Sequence, residues 1–227
     1  MDLSKVYRLL TINPKDPDRY RIYYENATQP LYKYLVDNNV LKQNKDILEI
    51  GCGGGVFYEE YRSYLQKLRN RYTCIDIDLP SISISKTKVD YVDFRCLDIH
   101  DYTALRKHNV ILMVQSYTCI PNIDKVLKRY FKHNRSGKVI IINTIFPEYL
   151  TGIQNICREV VIKGWFGVNW GKALTLNHMI DLSKRLKTSL RFKIMRQNNL
   201  GNDEYIFILE KLPDFRVSHT PPADINE

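Results

Sequence analysis

Asp46-Ile47-Leu48-Glu49-Ile50-Gly51-Cys52-Gly53-Gly54-Gly55-Val56-Phe57 is the stretch that decides the fold. It runs from an apolar strand through a glycine-rich turn into an amphipathic helix. Glycine lacks a Cβ and takes positive φ where other residues strain, so such a turn lets the backbone come close to a ligand at the strand's carboxyl end. Spacing separates the ligands that favour it. A phosphate-cradling loop needs Gly-Lys-Ser/Thr, and none follows. A dinucleotide fingerprint starting at Gly51 and Gly53 puts Val56 where a third small residue lets helix and strand pack tightly, and valine fits poorly. What remains is Glu49-x-Gly51-x-Gly53-x-Gly55. A purely structural turn between a buried strand and a helix also uses glycine, so the following segments carry the decision.

Arg71-Tyr72-Thr73-Cys74-Ile75-Asp76-Ile77-Asp78 reads as a second strand ending in acid, with Asp76 twenty-five residues beyond Gly51. A carboxylate there can accept hydrogen bonds from both hydroxyls of a ribose. Phe94-Arg95-Cys96-Leu97-Asp98-Ile99 reads as a third strand ending at Asp98. Together these segments resemble the class I (Rossmann-like) S-adenosylmethionine-dependent methyltransferases, closest to the broad small-molecule group, over about residues 20–212. The resemblance implies S-adenosyl-L-methionine as cofactor and S-adenosyl-L-homocysteine as product. It implies that the backbone around Gly51, Cys52, Gly53 and Gly55 lies against the methionine portion and that Glu49 orders the turn. Asp76 then holds the ribose, Asp98 with the Ile99 amide reads adenine, and Ile77 is a further cofactor-binding residue.

The chain has 227 residues, 44% hydrophobic and 26% charged, which suits one soluble domain. No uninterrupted apolar run approaches the roughly 20 residues that span a bilayer, and residues 1–20 carry mixed charges and two prolines, so neither a membrane helix nor a signal peptide is expected. The five cysteines, Cys52, Cys74, Cys96, Cys119 and Cys157, are odd in number and scattered without a C-x-x-C pair. They read as small buried hydrophobes in a reducing cytoplasm, with no metal site. The net charge of +9 favours an anionic partner, but it is dispersed along amphipathic elements rather than gathered into a patch.

In chain order, residues 1–45 read as an N-terminal helical region, a lid or cap. Tyr20, Tyr23 and Tyr24 are candidates for cofactor or substrate contact within it, Tyr24 assigned to the cofactor side. Tyr58, Tyr61, Leu65 and Leu68 recur at helical spacing after the turn, predicting one helix whose positive N-terminal end faces the ligand. Asn109 to Val114 is a continuous apolar run, as in a central parallel strand. The helix after it carries Ile123, Val126, Leu127, Tyr130 and Phe131, and a strand follows over 138–145. Strand alternates with helix five times, predicting an α/β fold: a doubly wound, mostly parallel seven-stranded sheet with helices on both faces. A helix over 176–187 leads to two strands joined too closely for a crossover, so the last is expected to be antiparallel. Residues 147–172 form a glycine-punctuated aromatic insertion after a strand's carboxyl end, where Trp165, Phe166 and Trp170 suit a substrate pocket. Residues 213–227 read as a flexible tail.

A sulfonium methyl is already activated, so the protein needs mainly to hold an acceptor in line and exclude water. A base is needed only where the acceptor must lose a proton. Gln115 and Tyr117, just past the fourth strand, and His178 are the catalytic candidates; Gln115 also borders the cofactor, and Tyr117 the substrate. The expected reaction is methyl transfer to oxygen or nitrogen of a small, anionic metabolite. Two other readings stand beside it: an RNA methyltransferase, motivated by the charge, and a non-catalytic partner subunit. The chain lacks an N-P-P-Y-like run after the fourth strand, an evident K-D-K-E tetrad, an attached RNA-binding module and a clustered basic patch, and it keeps the ribose and adenine acids.

Overall fold

The computed structural model describes residues 21, 24–134, 136–156, 172–196 and 203–212. A π-helical turn at Tyr24–Thr28 runs into α1, Gln29–Asp37, whose Pro30 sits in the first turn, where no N–H is needed. The elements that follow are β1 (Asp46–Ile50), α2 (Val56–Glu60), α3 (Arg62–Lys67), β2 (Arg71–Asp76), α4 (Leu79–Lys88), β3 (Val92–Cys96) and β4 (Val110–Val114). Then come α5 (Ile123–His133), β5 (Lys138–Ile145), α6 (Thr151–Ile156), α7 (Leu176–Leu186), β6 (Thr188–Arg196) and β7 (Asp203–Lys211).

The seven strands form one sheet in the order β3-β2-β1-β4-β5-β7-β6. The first five pair in parallel, and β7 runs antiparallel between β5 and β6, as the short connection requires. The expected doubly wound sheet with an antiparallel last strand is therefore present. Strand residues alternate between two cores because successive side chains point to opposite faces. Ile47, Cys74 and Leu112 join Leu31 and Leu35 of α1, Phe57 of α2 and Ile82 of α4. Leu48, Ile75, Ile111 and Met113 join Val126, Leu127 and Tyr130 of α5 and Met179 and Leu182 of α7. Every residue of β4 is buried, which explains its unbroken apolar sequence. The order reverses between β1 and β4, so the carboxyl ends of these two strands open a crevice at the switch point of the sheet.

Three expectations change. The helix after the glycine turn is two short ones, broken at Tyr61, whose φ of −100° and ψ of 22° leave the helical region. The third strand ends at Cys96: Leu97 N–H still reaches the Asp76 carbonyl at 3.0 Å, but the Asp98 side chain then takes the His100 N–H at 2.9 Å and turns the chain. Of the cysteines, Cys74 is fully buried, Cys52 and Cys119 are partly so, and Cys96 is exposed because its strand lies on the sheet edge. No helix among the described residues is long and apolar enough to cross a membrane.

At the opposite end of the sheet, His108 is buried with its Nε2 at 2.8 Å from the Tyr102 hydroxyl and its Nδ1 without a partner. Burial lowers its pKa from the ordinary 6.5. The native state therefore prefers neutral imidazole while the unfolded chain charges at the ordinary value, so stability present above pH 6.5 is lost as pH falls toward the lower folded value. Denaturant unfolding across this acid range should show the loss in the wild-type protein and a smaller slope in His108→Gln, which cannot charge.

Candidate active site

The turn after β1 uses three left-handed glycines, with φ of 76° at Gly51, 54° at Gly53 and 64° at Gly55. Space demands glycine as well as conformation. A Cβ on Gly51 would stand 2.5 Å from Ser116 Cβ, and one on Gly55 would stand 2.7 Å from the Phe94 ring. Gly51 N–H donates to the Ile75 carbonyl at 2.8 Å, and the Ser116 hydroxyl donates to the Ile50 carbonyl at 2.5 Å. Gly53 N–H donates to Asp76 Oδ2 at 2.7 Å, and Asp78 N–H donates to Asp76 Oδ1 at 3.0 Å. Burial pushes the Asp76 carboxyl up from its usual value, and these two amides pull it back down. Each of its oxygens has a second lone pair for a further donor. The next side chain, Ile77, is 75% exposed, an apolar surface beside the acid.

Glu49 lies between Cys74 of β2 and Leu112 of β4 in the centre of the sheet, fully buried. Its Oε1 accepts from the Tyr32 hydroxyl at 2.5 Å, whereas its Oε2 has no partner, and neither do the hydroxyls of Tyr24 and Tyr58 in the same core. Tyr32 is held by stacking on Phe57 at 4.3 Å and on Tyr24 at 5.6 Å. Burial drives the Glu49 pKa up to about 7, although the Tyr32 hydrogen bond and the nearby Tyr58 hydroxyl, which does not reach hydrogen-bond geometry, favour the charge. A buried carboxyl with a bare oxygen beneath a glycine turn is an unmet demand for a donor, preferably a cation.

Across the crevice, Gln115 leaves β4 with a φ of 54°. Its N–H donates to the Ile142 carbonyl at 2.8 Å, and its Nε2 donates to Thr144 Oγ1 at 3.1 Å, so both its main chain and side chain are tied to β5. The Tyr117 ring is buried, and its hydroxyl meets Asp124 Oδ1 at 2.8 Å and His178 Nε2 at 2.9 Å. Burial, then the Asp124 charge, holds the Tyr117 pKa well above the usual phenol value. Asp124 Oδ2 is gripped by Arg185 at 2.8 Å. His178 lies in the first turn of α7, where its N–H is capped by Thr175 Oγ1 at 3.1 Å. The segment before it is tied to the end of β5 by a Phe146 N–H bond to the Leu174 carbonyl at 2.8 Å.

Of the residues singled out in the sequence, the structure therefore brings Glu49, Gly51, Cys52, Gly53, Gly55 and Asp76 around one turn, and Tyr117 and His178 into direct contact. Tyr24 is buried as the first residue of the π-helical turn. Asp98 Oδ1 is occupied by the His100 N–H at 2.9 Å and ring Nδ1 at 2.7 Å, which hold its carboxyl below the usual range, and Ile99 is buried beside it. Tyr20, Tyr23, Trp165, Phe166 and Trp170 lie outside the described residues. Tyr32, Ser116, Asp124 and Arg185 were not anticipated. Tyr32 sits on the apolar face of its helix beside Leu31 and Leu35, and Asp124 and Arg185 look like solvated helix residues until the fold brings them together.

The sequence profile described as a methyltransferase domain matches residues 20–187. Among curated proteins, a malonyl-[acyl-carrier protein] O-methyltransferase of Bacillus cereus is 26% identical over 152 residues, covering 64% of this chain and 56% of that one. A ubiquinone biosynthesis O-methyltransferase of Pelagibacter ubique is 24% identical over 183 residues, covering 78% of this chain and 74% of that one. The latter apart, the chain spans about half the length of the curated relatives it matches. Among solved structures, the plantazolicin methyltransferase BpumL in complex with a triazolic desmethylPZN analog and SAH shares the fold with a TM-score of 0.61 at 16% identity, over 92% of this chain and 97% of that one.

The buried carboxyl gives a test that needs no ligand. Glu49 has a folded pKa near 7 against an ordinary 4.5, so its contribution to stability is fully present below pH 4.5 and is lost as pH rises through about 7. The span corresponds to about 3 kcal/mol at roughly 1.4 kcal/mol per unit. Glu49→Gln should remove this slope, measured by urea unfolding between mildly acid and mildly alkaline pH, and should be the more stable protein at the alkaline end.

Proposed function

Because the chain belongs to the methyltransferase domain family, we propose that it holds S-adenosyl-L-methionine at the glycine turn and passes the methyl group to an oxygen of a small, anionic acceptor. The residues fit the cofactor on two counts. Gly51 and Gly55 leave open a cradle that a Cβ would close, and Glu49 Oε2 is a buried acceptor with nothing to accept from. In this reading Glu49 faces the methionine ammonium, and the backbone at Gly51, Cys52, Gly53 and Gly55 lines the methionine portion. Asp76 takes the ribose hydroxyls, Ile77 covers the adenine face, Asp98 and the Ile99 amide take its polar edge, and Gln115 borders the methyl end. Tyr24 backs the site through its stack on Tyr32.

The bound cofactor supplies an activated methyl group, and the chain's own task is positioning and exclusion of water. The acceptor side is assigned to the crevice past β4 and β5, and the sequence candidates Tyr20, Tyr23, Trp165, Phe166 and Trp170 are proposed to contact the acceptor. Oxygen as the acceptor atom is supported by the O-methyltransferases among the relatives. A small acceptor rather than RNA is supported by the way basic side chains are engaged. Among the described residues, Arg62 pairs with Asp90 at 2.7 Å, Arg95 with Asp93 at 2.6 Å, Lys138 with Glu210 at 2.9 Å and Arg191 with Glu210 at 2.7 Å, so part of the basic charge is neutralised within the chain.

The observation that carries the proposal is the unpartnered Glu49 oxygen beneath a turn that has no room for a Cβ at positions 51 and 55. Calorimetry should detect binding of S-adenosyl-L-methionine. Asp76→Ala should weaken it by about 1 to 3 kcal/mol, the range for charged hydrogen bonds. An intact protein without affinity for the cofactor, or an Asp76→Ala variant with full affinity, would refute the assignment.

A further inference from the structure

We infer that His178 is the general base of this site, that Tyr117, Asp124 and Arg185 fix its tautomer, and that the acceptor group is therefore a hydroxyl rather than a carboxylate. The inference rests on the methyltransferase reading above and deepens it.

The hydrogen-bond chain has only one consistent direction. Asp124 is a carboxylate, with Oδ2 held by Arg185 at 2.8 Å, so its Oδ1 can only accept, and the Tyr117 hydroxyl proton points to it at 2.8 Å. A hydroxyl has one proton, so toward His178 the Tyr117 oxygen offers a lone pair. The contact at 2.9 Å then requires the proton on Nε2 of His178. The hydrogen bond at one ring nitrogen fixes what the other can do, so the Nδ1 of neutral His178 carries a lone pair. The logic is that of a carboxylate-held histidine base, with a buried phenol inserted between the carboxylate and the ring.

Placement suits the role. Tyr117 is 3% exposed while His178 is exposed, so the phenol that links ring and carboxylate is buried and the histidine it holds lies at the surface. The Leu174 backbone ties the residues just before α7 to the end of β5, and Tyr117 follows β4 by three residues, so His178 overlooks the carboxyl ends of the two strands beside the switch point. Other charges on its helix are accounted for: Asp181 pairs with Lys184 at 3.5 Å, and Arg185 with Asp124. The facing helix α5 contributes Asp124 itself.

A carboxylate acceptor has no proton to lose, and a positioned base would add nothing; a hydroxyl acceptor needs one. In the step assigned here, the acceptor O–H bond breaks and its proton goes to His178 Nδ1, giving an imidazolium. The electron pair left on oxygen forms the bond to the transferred methyl carbon, whose former bonding pair stays with the cofactor's sulfur. The imidazolium returns its proton to water.

Two measurements on the full chain decide the matter. Nitrogen-15 NMR of the histidine rings, without any acceptor, should find the neutral His178 protonated on Nε2. Tyr117→Phe, which keeps the ring packing and removes the relay oxygen, should give a tautomer mixture. With labelled S-adenosyl-L-methionine, a panel of hydroxy acids led by protocatechuate should receive the label as an ether stable to base, and octanoate should receive none. His178→Gln should lower kcat by about a hundredfold or more and abolish the rising limb of the pH–rate profile, while cofactor affinity by calorimetry stays the same. Tyr117→Phe should lower kcat less and displace that limb. A wild-type His178 protonated on Nδ1, label confined to carboxyl groups or absent from every hydroxyl although the cofactor binds, or a His178→Gln variant as fast as wild type would each overturn the base. Failure of the wild-type protein to bind the cofactor would overturn the methyltransferase reading instead.

Discussion

A carboxyl group held without solvent in the middle of a parallel sheet is the constraint on which the rest depends. Glu49 occupies a position that composition alone would give to leucine, with β2 on one side and β4 on the other. One oxygen is satisfied by Tyr32, and that tyrosine is fixed by a stack running from Tyr24 to Phe57. The second oxygen is left bare, which costs stability in the absence of a partner. A protein retains such a group where a ligand meets the demand, and the turn directly after it is built to let one approach. Gly51 touches Ser116 from the neighbouring strand exit, and Gly53 is fastened to Asp76, so the turn is rigid before anything binds. Preorganisation of this kind lowers the ordering cost of binding.

The crevice has two walls with different chemistry. On the β2 side stand acids and exposed apolar side chains, Asp76, Asp98, Ile77 and Leu79, suited to a sugar and a flat base. On the β5 side stand Gln115, Tyr117 and His178, which are tied to one another or to neighbouring elements and not to the glycine turn. In the proposed function the first wall recognises the cofactor and the second does chemistry on the acceptor, with the switch point between β1 and β4 between them.

Much of this was legible in the sequence because it is local. The spacing of the glycines, the unbroken apolar run of β4, and the acid at the end of β2 each lie within a few residues, and each has one physical reason. What was not legible depends on the third dimension. Tyr117 reads as a substrate contact from its place after β4, yet its ring is buried and its hydroxyl serves His178, sixty-one residues away. Asp124 reads as a solvated helix residue until Arg185 and Tyr117 close on it. The break at Tyr61 escaped because hydrophobic spacing persists across the two helices, and the early end of β3 escaped because Asp98 spends its side chain on a turn.

The most direct test of the turn as the cofactor site is the proton balance of binding. Calorimetric titration with S-adenosyl-L-homocysteine near pH 6.5, in two buffers of different ionisation heat, reads the protons exchanged. If the ligand's ammonium meets Glu49, the carboxyl must ionise on binding, and a substantial fraction of a proton should be released per site, a release absent in Glu49→Gln. Binding with no proton release in the wild-type protein, or with the same release in Glu49→Gln, would contradict the assignment of Glu49 and of the turn above it.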